Sequence, residues 1–255
     1  MKFSALASGS TGNCFYIQNK NKAILIDSGI SCKQVFDRLS SLNQNPESIK
    51  GIFITHEHSD HVKGVDVLAR TLNIPIYATK GTIKNSFLCS DENLINEIKN
   101  NETINLAGME IEAFSKFHKA CEPVSFTIKT NKNVSVITDI GYACKNVIER
   151  VHESDLLAIE ANHDLEMLES GPYPYFLKTW IRGNTGHLSN LNSALCVLEH
   201  AKSGLKNIVL AHLSKINNTP ELAFNTFQSL IKERIDLHPR LLISSKEIPT
   251  PLITL

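Results

Sequence analysis

The 255-residue chain has no apolar run long enough to cross a bilayer as a helix; stretches such as Ala23–Ile26 and Ile208–Ala211 are strand-sized, far below the ~20 residues required. It has no net charge, with 26 basic against 26 acidic side chains. A protein-wide positive field is therefore excluded, and any contact with a polyanion must be local. The six cysteines stand singly, without a C-x-x-C pair or a dense framework, which argues for free thiols and removes thiolate from any metal site. There is no low-complexity tract, linker or repeat of 20–50 residues. Residues Met1–Ala7 carry one lysine and no sustained apolar core, so they do not read as a secretory signal, and a cytoplasmic location is expected. What remains is globular: 42% hydrophobic and 20% charged residues, enough for a large core and compatible with one domain over residues 1–255.

Short β-prone runs open the chain at Phe3–Ala7, Cys14–Gln18 and Lys22–Asp27, separated by Gly-, Ser- and Asn-rich turns. Helical spacing of Val35, Phe36, Leu39 and Leu42 predicts a helix over Ser31–Leu42, followed by a strand over Ile49–Thr55. Then come a helix at His61–Leu72, a strand at Ile74–Ala78 and a polar helical stretch over Thr82–Lys99. A second β-rich block covers Thr103–Leu106, Glu110–Phe117, Val124–Thr130 and Val134–Asp139. Helices are then expected at Lys145–Val151, Leu165–Leu168, Pro174–Ile181, Asn190–Lys202 and Glu221–Ile231, and strands at Leu156–Glu160 and Asn207–Ala211. Both halves run strands first and then alternate. That order predicts two sheets face to face with helices outside, a four-layer αβ/βα sandwich of the α/β class, and not a regularly alternating doubly wound sheet.

The chemistry concentrates in His56-Glu57-His58-Ser59-Asp60-His61, directly after the apolar Gly51–Thr55. Neutral imidazoles and a carboxylate are ligands for Zn²⁺, Mn²⁺ or Fe; His56 and His58 point alike in an extended segment, while Asp60 and His61 can turn toward a second ion. The same residues could simply cap the following helix through Ser59 or Asp60. His118, Asp139 and His212 each follow an apolar run as well.

The motif His56-x-His58-x-Asp60-His61, with His118, Asp139 and His212 in order, resembles the signature of the metallo-β-lactamase fold. The resemblance implies a first metal held by His56, His58 and His118, a second by Asp60, His61 and His212, and Asp139 bridging them. Over nearly the whole chain, Leu6–Asn13, Leu25–Gly29, Thr138–Tyr142, Glu160–Asp164, Gly171–Pro174, Gly186–Asn190 and Leu210–Ser214 are similar to the bacterial YycJ/WalJ group. That likeness implies 5′-to-3′ exonuclease activity on double-stranded DNA, with DNA-repair proteins as partners. One departure is Lys119 in His118-Lys119-Ala120, where the group usually has an aspartate; a cation beside a ligand disfavours metal unless it points away.

Two ions ~3.5–4 Å apart can share a hydroxide and clamp the attacking and leaving oxygens of a phosphodiester. Asp60 is the candidate for orienting or deprotonating the water, and His187 for protonating the leaving oxygen. The loop Thr185–Asn190 is similar to the Gly-His-Ser/Thr loop of tRNA 3′-processing enzymes, which favours phosphodiester over lactam; free amides at the helix entrance there would suit a phosphate. Substrate contacts are expected from Ser10 in the Ser8–Asn13 turn, and from Lys178 and Arg182, four apart on one helix. His163 follows a strand end and has no assigned role. The alternative is a small-molecule thioester, lactone or phosphodiester hydrolase, supported by the neutral charge. A diiron redox module is disfavoured by His58, which stands where that chemistry puts a carboxylate. The short span from Asp139 to His212 leaves no room for the large extra domain of cleavage-factor nucleases.

Overall fold

A computed structural model describes residues 1–255. It has two compact units, one of Met1–Ser115, Ala120–Asn131 and Ser245–Leu255, the other of Lys116–Lys119 and Lys132–Ser244. Fourteen strands make two seven-stranded sheets.

The first unit begins with β1 (Lys2–Ala7), β2 (Cys14–Asn19) and β3 (Lys22–Ile26), an antiparallel meander whose register pairs Phe3 with Ile17 and Ile17 with Ile24. Helix α1 (Cys32–Ser41) starts at a capping box, with Ser31 accepting from the Gln34 amide and Gln34 answering toward the Ser31 amide. Its Val35 and Leu39 are fully buried, each contributing about 1.5–3 kcal/mol by leaving water. Next come β4 (Ile49–Phe53), α2 (Ser59–Val62), α3 (Val65–Leu72), β5 (Ile76–Thr79), α4 (Lys80–Asn85) and β6 (Ile95–Ile98). The one helix expected over His61–Leu72 is thus two, broken at Gly64, whose amide donates to the Ser28 carbonyl.

The expected helix over Thr82–Lys99 is corrected to α4, a 3₁₀ turn at Glu92–Leu94 and strand β6. The i,i+3 spacing of Ile95 and Ile98 by itself fits a helix face. Parallel pairing with β5, Ile76 opposite Ile95 and Thr79 opposite Ile98, decides for strand. Strands β7 (Thr103–Leu106), β8 (Met109–Ser115) and β9 (Val124–Lys129) form an antiparallel ladder.

The second unit holds β10 (Asn133–Ile137), α5 (Lys145–Glu153), β11 (Leu156–Glu160), α6 (Leu165–Ser170), α7 (Tyr175–Arg182), α8 (Asn190–His200), β12 (Asn207–Ala211), α9 (Pro220–Ile231) and β13 (Arg240–Ile243). Its four strands are parallel in the order β13-β12-β11-β10, and β11 and β12 are buried throughout, as continuous apolar runs in a parallel sheet should be. Helix α8 packs against α5 and α9. Finally β14 (Ile253–Thr254) returns to pair antiparallel with β1, so the first sheet runs β14-β1-β2-β3-β4-β5-β6. Strands β13 and β14 go beyond the expected elements. All six cysteines are unpaired. No helix is long and apolar enough to cross a membrane.

Candidate active site

In the first unit the site is a loop tied down at its base. Residues Thr55–His61 follow β4, and His58, not Ser59 or Asp60, is the N-cap residue of α2. Asp27 follows β3 with no exposure and a left-handed φ of 61°, a conformation that costs a non-glycine residue ~1–2 kcal/mol. Its Oδ1 accepts from the Thr55 amide at 2.8 Å, and its Oδ2 lies 2.7 Å from His61 Nδ1. A carboxylate can only accept, so Nδ1 of His61 carries the proton and Nε2 is the basic nitrogen. The Thr55 hydroxyl donates to Asp27 Oδ2 at 2.9 Å, which makes its oxygen the acceptor for His56 Nδ1 at 2.9 Å and again leaves Nε2 basic. That Nε2 is 3.0 Å from His58 Nδ1.

Asn13 joins this loop to the Ser8–Asn13 turn. Its side-chain amide contacts Asp60 Oδ2 at 3.1 Å and His61 Nε2 at 3.2 Å, while its Oδ1 accepts from the Gly9 amide at 3.0 Å. Gly29 allows the approach of the two segments: a Cβ there would sit 1.6 Å from the Asp60 carbonyl oxygen. Ser10 is exposed at the tip of the turn.

The second unit carries a buried cluster in which Asp139, Glu160, His187 and His212 each place one ligand atom within 4.8 Å of the others. Asp139 and His212 also adopt left-handed φ, 55° and 56°. Such strain survives only where the surroundings over-determine it, as at functional sites. Glu160 ends β11 with no exposure and gathers four donors: the Ile140 and Leu188 amides at 2.8 and 3.2 Å, and Nδ1 of His187 and His212 at 2.8 and 3.0 Å. Burial by itself raises a carboxyl pKa, but the two imidazoles and the hydrogen bonds outweigh it and hold Glu160 down at about 2. His212 Nε2 then lies 3.4 Å from Asp139 Oδ1.

His118 Nδ1 donates to the Gly186 carbonyl at 3.1 Å, and its Nε2 is 3.8 Å from Asp139 Oδ1. Burial first, then Lys116 and His187, lower the His118 pKa to about 4, against the opposing pull of Asp139 and Glu160. Lys119 extends over the Trp180 ring, 5.9 Å from its centroid, where the aromatic face accommodates the cation.

The donor set fits divalent metal. In His56, His61, His118 and His212 a protein acceptor engages Nδ1 and leaves Nε2 basic, the arrangement by which proteins orient metal-ligating imidazoles. Asp139 and Glu160, 2% and 0% exposed, place two carboxylates among imidazoles, a buried negative charge that a cation would offset.

The resemblance assigned His56, His58 and His118 to a first metal, Asp60, His61 and His212 to a second and Asp139 to both; the structure holds His56, His58, Asp60 and His61 in one loop and Asp139, His187 and His212 in one cluster, with His118 near Asp139 and His187. Sequence reasoning missed the roles of Asn13, Asp27, Thr55 and Glu160. A signal existed for two of them, since Asp27 and Glu160 are acidic residues directly after the apolar runs Ala23–Ile26 and Leu156–Ile159. The helix entrance expected to offer free amides is largely satisfied internally: the Asn190 amide donates to the His163 carbonyl and the Asn192 amide to Ser189 Oγ. Lys178 and Arg182 share a face of α7, and both engage Glu169, Lys178 through its carbonyl and Arg182 through its carboxylate at 2.5 Å. His163 is 1% exposed with neither ring nitrogen hydrogen-bonded.

The strand-end ligand loops and imidazole–carboxylate clusters are those of a metallo-β-lactamase-type protein. The chain belongs to the beta-lactamase superfamily, whose domain model matches residues 22–213, and its fold class is the α/β sandwich of that family. Exodeoxyribonuclease WalJ of Streptococcus pneumoniae is 39% identical over 231 residues, 88% of this chain and 86% of that one. Exodeoxyribonuclease YycJ of Bacillus anthracis is 35% identical over 243 residues, 92% and 90% of the two chains. Among solved structures, zinc-bound PqqB from Methylobacterium extorquens superposes with a TM-score of 0.74 at 15% identity, covering 98% of this chain and 99% of that one, a likeness of fold.

Proposed function

We propose that this protein is a metal-dependent phosphodiester hydrolase, a cytoplasmic exodeoxyribonuclease that digests double-stranded DNA in the 5′-to-3′ direction, built as one metallo-β-lactamase-fold domain over residues 1–255. The observation that carries the choice of phosphodiester is the His187–Glu160 pair, Nδ1 to Oε1 at 2.8 Å. Support for DNA comes from the two exodeoxyribonuclease relatives, each matched along most of its length. The ligands we assign are His56, His58, Asp60, His61, His118, Asp139 and His212, holding two ions of zinc or manganese; an all-nitrogen-and-oxygen donor set suits both. Bound divalent ions supply positive charge that acidifies water and neutralises the phosphoryl oxygens as charge builds on them.

The protein side chains do the rest. Asp60, fixed at Oδ2 by Asn13 at 3.1 Å, orients the attacking water and accepts its proton. His187 gives a proton from Nε2 to the departing oxygen, because Nδ1 is committed to Glu160. The ionised Glu160 carboxylate stabilises the imidazolium form that must precede this transfer. Expelling an alkoxide requires such a donor, whereas a thiolate departs from a thioester without one. Ser10, Lys178 and Arg182 remain our candidates for contacting the DNA backbone, the last two on exchanging Glu169 for phosphate.

The experiment is hydrolysis of 5′-end-labelled linear duplex by chelator-stripped protein reloaded separately with Mn²⁺ and Zn²⁺, beside bis-p-nitrophenyl phosphate and a thioester. Metal-dependent release of mononucleotides from the 5′ end is the expected result. Turnover of the thioester with intact DNA would replace this reading by that of a small-molecule hydrolase.

A further inference from the structure

The first unit contains a cavity of about 420 Å³ walled by Thr11, Gly12, Arg38, Lys63, Lys246 and Glu247, among others, a volume within the range of small-ligand sites. Three cations face one carboxylate there, a local excess of positive charge in a chain whose charges otherwise cancel. The cavity is pre-built. Arg38 donates through Nη1 to the Leu6 carbonyl and through Nη2 to the Lys246 carbonyl, both at 2.7 Å. These bonds pin the guanidinium and the 246 segment while leaving the charge unneutralised, because carbonyls carry none. Glu247 lies 3.5 Å from Lys246 Nζ, so it offsets at most one of the three.

The position of the cavity matters as much as its charge. Thr11 and Gly12 run directly into Asn13, whose side chain touches Asp60 and His61, and Lys63 follows His61 by two residues. An anion seated here lies beside the two segments that carry Asn13 and His61.

We infer that this cavity is a nucleotide-phosphate subsite, in which Lys63, Lys246 and Arg38 hold a phosphate next to the phosphodiester being cut. The inference rests on the exonuclease reading for its substrate. The shared chemistry is that of a nucleoside monophosphate unit, either within DNA or free as a released product. Lys63 is exposed and Lys246 half-buried, so both ammonium groups have room to turn onto a phosphate.

The test measures equilibrium binding of the metal-loaded protein to a fluorescent duplex with phosphorothioate linkages, which resists hydrolysis, as salt is varied. A second arm titrates dAMP calorimetrically. The variants are Lys63→Ala/Lys246→Ala and, as a single-charge control away from the cavity, Lys22→Ala at the end of β3 remote from Asp27. The paired variant is expected to weaken duplex binding roughly tenfold and to reduce the slope of log K against log salt by about 2, since each lost phosphate contact removes about 0.9. Lys22→Ala should leave both unchanged. dAMP bound by the parent and not by the paired variant extends the site to free nucleotide; dAMP bound by neither restricts it to DNA. An unchanged slope in the paired variant, or an equal fall in the control, overturns the inference while leaving the exonuclease reading intact. If the parent binds no duplex, the exonuclease reading fails, and the subsite then stands or falls on dAMP alone.

Discussion

Replacing His187 by alanine separates the roles within the cluster. The substitution is structurally mild: Glu160 keeps the Ile140 and Leu188 amides and His212 as donors, so no buried carboxylate is abandoned. What the fold loses is an edge contact with Trp180 at 5.6 Å, a stacked one with His212 at 5.3 Å and a tilted one with His118 at 5.2 Å. The chemical loss is larger. A positioned general acid accelerates its step by about 10²–10⁴-fold, equivalent to about 2.7–5.4 kcal/mol of barrier at 1.36 kcal/mol per decade. That loss depends on the leaving group. A deoxyribose alkoxide needs the proton and should show the full effect in kcat, whereas p-nitrophenolate leaves unprotonated and should lose only a few-fold. The assay is kcat and KM of parent and variant on duplex DNA and on bis-p-nitrophenyl phosphate at saturating metal. The expected outcome is a large fall in kcat on DNA with little change in KM, and a small fall on the activated ester. Equal losses on both substrates would refute the proton-donor role, and an unchanged rate on DNA would remove His187 from the reaction.

Substituting His61 by alanine should abolish hydrolysis while circular dichroism stays native, since it removes one basic nitrogen at the site; full activity in metal-defined buffer would sink the two-metal assignment. In Glu160→Gln the amide must aim either its NH₂ at backbone amides or its donors at the imidazoles. We expect about 3–5 kcal/mol of lost stability from the broken buried network and a 10–100-fold weaker metal affinity through His212, read by urea midpoints and metal titration. His163 is held neutral down to about 4, chiefly by burial, whereas an unfolded imidazole titrates near 6.5. Between those values the unfolded chain binds the extra proton, so stability is highest above pH 6.5 and falls as pH drops toward 4. Urea midpoints from pH 4 to 7 should show His163→Leu losing up to about 1.4 kcal/mol per pH unit of that slope; an unaltered slope would contradict it.

The candidate ligands of the loop were legible in the sequence because their signal is local: three imidazoles and two carboxylates in six residues after a buried strand have few other uses. Parallel strands β11 and β12 were legible for a similar reason, as uninterrupted apolar runs at strand length. Strand β6 was not, because isoleucines three apart match the helical period, and only β5 supplies the hydrogen-bond partners that make the segment a strand. Strand β14, two residues long, exists only through its pairing with β1, more than two hundred residues away in sequence.

The same division runs through the site. Sequence alone determined which atoms could hold metal. Tertiary structure decided which nitrogen of each imidazole would do so, because the partners that engage Nδ1, namely Thr55, Asp27, Gly186 and Glu160, reach their histidines through packing. It likewise decided that Lys178 and Arg182 meet Glu169, and that Arg38, Lys63 and Lys246 share one cavity. Ligand identity follows from side-chain chemistry, which each residue carries with it. Protonation, orientation and field arise from groups remote in sequence, and come into being only when the chain closes on itself.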